Sequence, residues 1–560
     1  FSTSNPKSFD SFKLPKRRGG ERSTWRIWTL KKERSKKYRI IQTFRILTQI
    51  VFFCLFFYLL LLTRFPGEDY IKRVEIFFHF DPLLALVTFI SSRMISIFFL
   101  PAVLTIGVTF VLGRVACGWV CPMGSIQQFF SFLFKKTKLH RPKKLKDNHT
   151  VWKYYLLILI LISSLFTLDL VGIFDPFSFL YRSFIVSVMP ALSYSTSSFI
   201  GVVYGLNLPS VGDILVQFFE NLDINAIFLQ GLFIGILFVG IILLNLSRER
   251  FWCRYICPLG AFLGVISRWN LLKLKIDTEK CIDCNLCSLQ CQMQADPYPN
   301  EKWKSSECDY CFTCSAICPT NAISFPAKVA PESIESIDLS RRKVVLASLL
   351  GILAIPFFRI SPARIRASRK LIRPPGALPE EKFLQKCIKC GECMKVCPTN
   401  ALQPVMTEAG PEGLWTPMLV PEIGYCEYYC SLCTQVCPTG AIKELTIAQK
   451  NKLKIGTAWV NKNRCIPWKF GDPCIVCEEH CPVSPKAIKF ITESVVQPDG
   501  SIKSAQAPVV DMATCTGCGI CENKCPVVDA PAIYVTSVGE TRSERNQVLL
   551  EIFQSEEDPY

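Results

Sequence analysis

Cys281-Ile-Asp-Cys284-Asn-Leu-Cys287-Ser-Leu-Gln-Cys291, followed after 16 residues by Cys308-Asp-Tyr-Cys311-Phe-Thr-Cys314-Ser-Ala-Ile-Cys318-Pro319, is the stretch on which the fold turns. Each run separates its cysteines by two, two and three residues, the spacing of a bacterial two-cluster ferredoxin. Three thiolates at i, i+3 and i+6 cap three irons of one [4Fe–4S] cubane, and the fourth cysteine lies too far along the chain to reach it and ligates the other. The expected sets are Cys281, Cys284, Cys287 with Cys318, and Cys308, Cys311, Cys314 with Cys291. Zinc does not suit such runs, because structural zinc takes its four ligands as two separated pairs. Iron, held through the cysteines, is the metal the pattern calls for.

Four more quartets follow. Cys387, Cys390, Cys393, Cys397 and Cys515, Cys518, Cys521, Cys525 keep the regular spacing, whereas Cys426, Cys430, Cys433, Cys437 and Cys465, Cys474, Cys477, Cys481 are stretched. Stretching lengthens a loop and leaves the ligand count unchanged. After each terminal Cys-Pro an apolar pair returns: Ala401-Leu402, Ala441-Ile442, Ala487-Ile488 and Ala532-Ile533. Proline stops a short ligand helix and the apolar pair begins a core strand, so the recurrence marks duplicated ferredoxin halves. By the crossing rule the outer quartets are expected to share two clusters, Cys387, Cys390, Cys393 with Cys525 and Cys515, Cys518, Cys521 with Cys397. The middle quartets are expected to share two more, Cys426, Cys430, Cys433 with Cys481 and Cys465, Cys474, Cys477 with Cys437. Six quartets take 24 of the 29 cysteines and predict six [4Fe–4S] clusters on two α+β ferredoxin modules.

The 560-residue chain is 50% hydrophobic with a mean hydropathy of +0.27, which points to a multi-domain membrane protein. Four runs are apolar enough to cross a bilayer as an α-helical bundle: Ile46–Thr63, Met94–Leu112, Tyr154–Phe174 and Ile227–Leu246. Lys135, Lys136, Lys138, Arg141, Lys143, Lys144 and Lys146 load the connection 114–150, while 175–225 has Arg182 as its only Lys or Arg, so the former belongs in the cytoplasm. The net charge of +18 concentrates beside apolar spans, where it faces anionic lipid, and nucleic-acid binding is not expected. The expected order is a basic cytoplasmic segment 1–40, a membrane domain 41–272, a cytoplasmic two-cluster module 273–335, a hinge 336–375, a periplasmic four-cluster module 376–540 and a tail 541–560. In the hinge, Arg341-Arg342-Lys343 precedes the apolar run 344–358, a twin-arginine-like arrangement that reads as a fifth crossing or an interfacial helix.

The membrane half repeats itself. Arg114-Val-Ala-Cys117-Gly-Trp-Val-Cys121-Pro122 matches Arg250-Phe-Trp-Cys253-Arg-Tyr-Ile-Cys257-Pro258 with a displacement of 136 positions. Cys117, Cys121, Cys253 and Cys257 permit a seventh cluster, a dithiol relay or a structural role. Phe80-Asp81-Pro82 and Phe174-Asp175-Pro176 form a second echo, read either as helix starts with Asp as N-cap and Pro in the first turn, or as part of a quinol site. Such a site needs a proton acceptor, and His79, Asp81, Asp175 and Asp169, the last placed inside the third run, are the candidates. The chain has four histidines, His79, His140, His149 and His480, none in mid-span, so no haem is expected in it. Cys54, outside every motif, reads as inert packing.

With these motifs in this order, residues 40–540 resemble NapH joined to NapG, the polyferredoxin quinol-dehydrogenase subunits associated with periplasmic nitrate reductase; NapH is similar in turn to MauN, NosR and CcoG. The resemblance implies a bacterial inner-membrane protein that oxidises menaquinol or ubiquinol and passes electrons to a periplasmic cytochrome or reductase subunit. Two other readings stand beside it. One is a ferredoxin-fed conduit to quinone or an external acceptor, and the other a redox maturation factor of the NosR or CcoG kind.

Overall fold

The computed structural model describes residues 36–62, 76–93, 99–137, 150–206, 209–219, 226–298, 303–327, 337, 339–359, 370–496, 500–543 and 546. Most of the basic segment 1–40, the lysines from 138 to 146, His140, His149, part of the hinge and most of the tail lie outside them. The chain forms two compact units, one from Phe1–Phe53, Ile106–Phe129 and Leu263–Ile337, the other from Cys54–Thr105, Phe130–Phe262 and Asp338–Tyr560. Residues 41–272, expected as one membrane domain, are therefore divided between them.

In the first unit the strand Lys275–Ile276 precedes both cysteine runs and pairs antiparallel with Ile323–Ser324, which follows them. Leu274, Ile276, Ala322 and Ile323 make a small core on which Cys281, Cys287, Cys314 and Cys318 pack. Asn285 and Phe312 adopt left-handed backbone (φ 55° and 56°) just before the ligand helices Leu286–Leu289 and Thr313–Ile317. That turn wraps each cysteine loop around a concavity. The apolar helix Leu100–Leu112 ends at Gly113, whose φ of +77° and contact with the Tyr310 ring leave no room for a Cβ.

In the second unit three strand pairs carry the other four quartets: Leu402–Pro404 with Pro417–Leu419, Thr457–Val460 with Ile533–Thr536, and Ile488–Val496 with Ile502–Val510, all antiparallel. The expected strands after Ala401, Ala487 and Ala532 are present, and Ile442 forms an isolated bridge to Ala377.

Among the described residues two helices are long and apolar enough to cross a membrane, Ile40–Leu62 with 23 residues and Pro176–Gly205 with 30. The second corrects the expectation of a plain connection over 175–225. Its serines and threonines diluted the apolar signal, but Ser183 and Ser195 return their hydroxyls to carbonyls one turn back and leave the helix intact. Shorter apolar helices are Pro82–Ser92, Leu100–Leu112, Trp152–Leu165 and Gly231–Leu246. The run Tyr154–Phe174 is not one helix: it stops at Leu165, where Thr167 turns left-handed (φ 64°), and Asp169 stands in the connection rather than inside a span. Arg341–Arg359 forms a 19-residue helix running parallel to Trp152–Leu165, with Ser340 N–H on the Tyr155 hydroxyl, Gly351 against Ile162, and Arg359 donating to Thr167 at 2.6 Å. Cys54 is exposed on its helix rather than packed.

Candidate iron–sulfur sites and their seat on the apolar helices

The cysteines gather as rings of four. Cys281, Cys284, Cys287 and Cys318 line one concavity, and Cys308, Cys311, Cys314 and Cys291 are mutual electrostatic neighbours, as the spacing predicts. In the second unit the grouping differs from expectation. Cys397 stands with Cys426, Cys430 and Cys433; Cys437 with Cys387, Cys390 and Cys393; Cys525 with Cys465, Cys474 and Cys477; and Cys481 with Cys515, Cys518 and Cys521. Quartets therefore cross with their immediate sequence neighbours, not first with last.

The reason is strand pairing. Thr457–Val460 precedes the third quartet and pairs with Ile533–Thr536 after the fourth, the same strand, quartet, quartet, strand order as in the first unit. Ala377, before the first quartet, bridges Ile442 after the second. Each antiparallel closure ties two consecutive quartets into one ferredoxin-like body. These two bodies meet where the Cys426 N–H donates to the Cys518 carbonyl at 2.8 Å.

The rings suit [4Fe–4S] clusters. Four of them line concavities into which all four sulfur-bearing residues face. Backbone N–H groups of Ala295, Ala322, Ile442 and Ala532 point at Cys291, Cys318, Cys437 and Cys525 sulfurs at 3.3, 3.3, 3.4 and 3.3 Å, an arrangement that favours thiolate. Burial, with the charges of neighbouring cysteines adding to it, pushes the Cys387, Cys426 and Cys477 thiols up to about 12, so ionising such a ring needs the countercharge of bound iron.

The ring of Cys387, Cys390, Cys393 and Cys437 sits on the ends of the apolar helices of its unit. A Cβ on Gly172 would lie 2.2 Å from the Ile388 carbonyl oxygen, so the loop between Cys387 and Cys390 rests where only glycine fits. Arg182, fully buried, donates Nη1 to the Lys389 carbonyl at 2.8 Å and to the Gly172 carbonyl at 3.0 Å, and its guanidinium lies 4.2 Å from the Trp415 ring centroid. Lys389, also buried, reaches back to the Asp169 carbonyl at 3.2 Å. Burial lowers its ammonium below the ordinary range, while the charges of Asp169 and Cys387 oppose that. Further along, Asn400 and Gln403 reach the Ile227 carbonyl and Gln230 reaches Pro404.

The Asp-Pro echoes lie beside this seat. Asp81 caps Pro82–Ser92 by accepting the Leu83 and Leu84 N–H groups at 2.8 and 3.0 Å, and Asp175 caps Pro176–Ser183 through the Ser178 N–H at 2.7 Å. The helix-start reading thus holds. Both carboxyl groups are fully buried and act electrostatically on each other, and each keeps one oxygen, Asp81 Oδ2 and Asp175 Oδ1, without a hydrogen bond among the described residues. Asp169 accepts the Val171 N–H at 3.0 Å, and His79 ends the short helix Ile76–His79 before Asp81. Arg182, Lys389, Gly172 and Trp415 were not anticipated. The solitary arginine of 175–225 was their one visible sign.

In the first unit a parallel seat exists. Arg114 donates to the Ser306 carbonyl at 2.7 Å and pairs with Glu307 at 3.6 Å, and a Cβ on Gly118 would lie 2.6 Å from the Asp309 carbonyl. The Cys117–Cys121 motif therefore abuts the Cys308–Cys311 loop. Each Cys-x-x-x-Cys motif has the same local form, with Cys121 N–H on Ala116 and Cys257 N–H on Trp252, five residues back, before the helices Pro122–Lys136 and Pro258–Ile266.

A 4Fe-4S binding domain model matches residues 95–140 and 230–278, each containing one of these motifs, and a 4Fe-4S dicluster domain model matches 386–441. The dicluster match covers the first two quartets of the second unit together, in agreement with the observed rings. The methylamine utilization ferredoxin-type protein MauM of Methylorubrum extorquens is 32% identical over 172 residues, 30% of this chain and 74% of that protein. The ferredoxin-type protein NapG of Escherichia coli is 33% identical over 180 residues, 32% of this chain and 76% of that one. This chain belongs to the MauM and NapG family of ferredoxin-type proteins. An uncharacterized protein of Methanocaldococcus jannaschii is 28% identical over 250 residues, 44% of this chain and 78% of its own length. No solved structure matches. Membership establishes an iron–sulfur electron-transfer protein.

Proposed function

We propose that this MauM/NapG-type chain is the membrane-embedded electron-transfer subunit of a quinol dehydrogenase, carrying six [4Fe–4S] clusters in the rings described above. It is a multi-pass protein of the bacterial inner membrane, with the first module cytoplasmic and the second periplasmic, and the helix Arg341–Arg359 is the crossing between them. Its partners are membrane quinone and a periplasmic cytochrome or reductase subunit. Bound clusters would supply closely spaced one-electron carriers.

The observation that carries this reading is the seating of the Cys387–Cys390 loop on Gly172 and Arg182, beside the buried Asp81 and Asp175 carboxyls, each with one oxygen that makes no hydrogen bond among the described residues. A quinol gives up two electrons and two protons. Asp81 and Asp175 offer an oxygen with room for a proton, and Asp169 offers a second carboxylate close by. Phe56, Phe77, Phe177 and Tyr181 pack around the two capped helices and exclude water. Arg182 and Gly172 fix the ligand loop against this site.

Protein loaded with clusters and placed in quinone-containing liposomes should show EPR-detected cluster reduction when a menaquinol analogue is added. Asp175→Asn should slow that reduction and leave dithionite reduction intact. Reduction indifferent to quinol but driven by reduced ferredoxin would overturn the quinol reading in favour of the conduit. Protease cleavage of residues 376–540 only from the cytoplasmic face of oriented vesicles would overturn the topology.

A further inference from the structure

Positive charge is spread unevenly over the four rings of the second unit. Beside Cys387, Cys390, Cys393 and Cys437 stand two buried cations, Arg182 and Lys389, whose charges act on Cys387 and, for Arg182, also on Cys390. Arg182 Nε and Nη2 make no hydrogen bond among the described residues, and its charge acts on the Asp175 carboxyl as well as on Cys390 and Cys387, while Asp169 and Glu412 act on Lys389. Arg373 also acts on Cys387, but Glu380 at 2.6 Å offsets it, and Glu392 acts on Cys390 in the opposite sense.

Among the described residues, fewer buried cations act on the other rings. Cys426, Cys430 and Cys433 face one, Lys450, which Glu427 opposes at Cys430. Cys515 faces the half-buried Lys454, while Glu522 opposes it at Cys521. The strongest charges on Cys465 and Cys477 are neighbouring thiolates. Adding an electron to a cluster is favoured by nearby positive charge, and burial strengthens the effect because little water screens it.

We infer that the ring of Cys387, Cys390, Cys393 and Cys437 holds the highest reduction potential of the module, and that Arg182 is the positioning residue that sets it. This rests on the reading of the rings as cluster sites. The rings also lie in a fixed order. The pairing of consecutive quartets joins this ring to that of Cys426, the Cys426 to Cys518 hydrogen bond joins the two bodies, and the ring of Cys465 is the far end. Within the module an electron is then held most favourably at the helix-seated end, next to the proposed quinol site.

The test is an EPR-monitored redox titration of the purified full-length chain with its clusters, against Cys437→Ser, Arg182→Gln and Arg182→Lys. Cys437→Ser should remove or transform the second unit's highest-potential signal. Arg182→Gln should shift that signal alone to lower potential at unchanged iron content, and Arg182→Lys should restore most of the shift. The inference is overturned if the highest-potential signal survives Cys437→Ser unaltered, or if Arg182→Gln leaves every potential in place. An unaltered iron content and unaltered spectrum in Cys437→Ser would instead sink the cluster reading of that ring. Should Arg182→Gln fail to retain its clusters, the Cys437→Ser assignment in otherwise unaltered protein decides, because another ring at the top of the order contradicts the inference.

Discussion

The backbone carbonyl of Lys389 accepts a hydrogen bond from Nη1 of Arg182 at 2.8 Å, so a residue of the helix Pro176–Gly205 grips the chain between Cys387 and Cys390. Lys389 answers by donating to the carbonyl of Asp169. The contact is reciprocal and buried, and removing one side leaves unpaired polar groups on the other.

Gly172→Ala should disturb this seat, because the new methyl would lie 2.2 Å from the Ile388 carbonyl oxygen, a rigid backbone atom. Overpacking of that kind costs about 1–3 kcal/mol. Limited proteolysis should cut the variant's second module faster, while Gly201→Ala, where the added carbon meets nothing within 4 Å, should behave as the parent.

Pairing of consecutive quartets predicts the outcome of a double substitution. Cys397 and Cys430 belong to one ring, so Cys397→Ser with Cys430→Ser should lower iron by about four atoms, one cubane, rather than eight. Iron analysis of both singles and the double checks it. Loss of two clusters would restore the first-with-last arrangement.

Glu380 links Arg373 at 2.6 Å and Arg542 at 2.8 Å. Burial opposes its ionisation, yet the two guanidinium groups prevail and hold the carboxyl at about 2. A carboxyl with a lowered folded-state value stabilises the protein above its ordinary value and loses that contribution as pH falls toward the folded one. The second module should therefore weaken between about pH 4.5 and 2, and Glu380→Gln should be less stable at neutral pH by roughly 2–3 kcal/mol and flatter across that window. Chemical denaturation at several pH values measures both.

Asp81 and Asp175 act as helix caps and each carries a second, buried carboxyl oxygen free of hydrogen bonds among the described residues, and substitution separates the roles. Asp175→Asn keeps a cap but surrenders an ionisable oxygen, so quinol-driven reduction should fall about 100-fold or more with little change in stability. Asp81→Ala removes the acceptor for the Leu83 and Leu84 N–H groups and should also lower stability by about 1 kcal/mol. Equal quinol-driven rates in Asp175→Asn and parent would remove the pair from the reaction.

Much of this was legible in residue spacing, and the illegible part has a physical cause. The i, i+3, i+6 cysteines and the Asp-Pro helix starts are local, and local geometry follows from local sequence. The quartet partners of Cys397 and Cys437 depend on which strands close, and the pairing of Thr457–Val460 with Ile533–Thr536 is made across a long stretch of chain. The helix Pro176–Gly205 was hidden because hydroxyl side chains lower hydropathy without breaking a helix. Gly172 and Arg182 were hidden because they recognise carbonyl oxygens, which every residue possesses.

That last property has a reach beyond this chain. Gly172 meets the carbonyl of Ile388 and Gly118 that of Asp309, each the residue just after the first cysteine of a Cys-x-x-Cys loop. A socket that feels only main chain is indifferent to the side chains carried by the plug, so ferredoxin sequences can diverge freely while still fitting it. Fidelity of assembly then falls to the tether, the helix Arg341–Arg359 lying along Trp152–Leu165. Chimeras that exchange the second module but keep that tether should assemble, whereas cutting the tether should turn a dedicated plug into one that competes with others for the same socket.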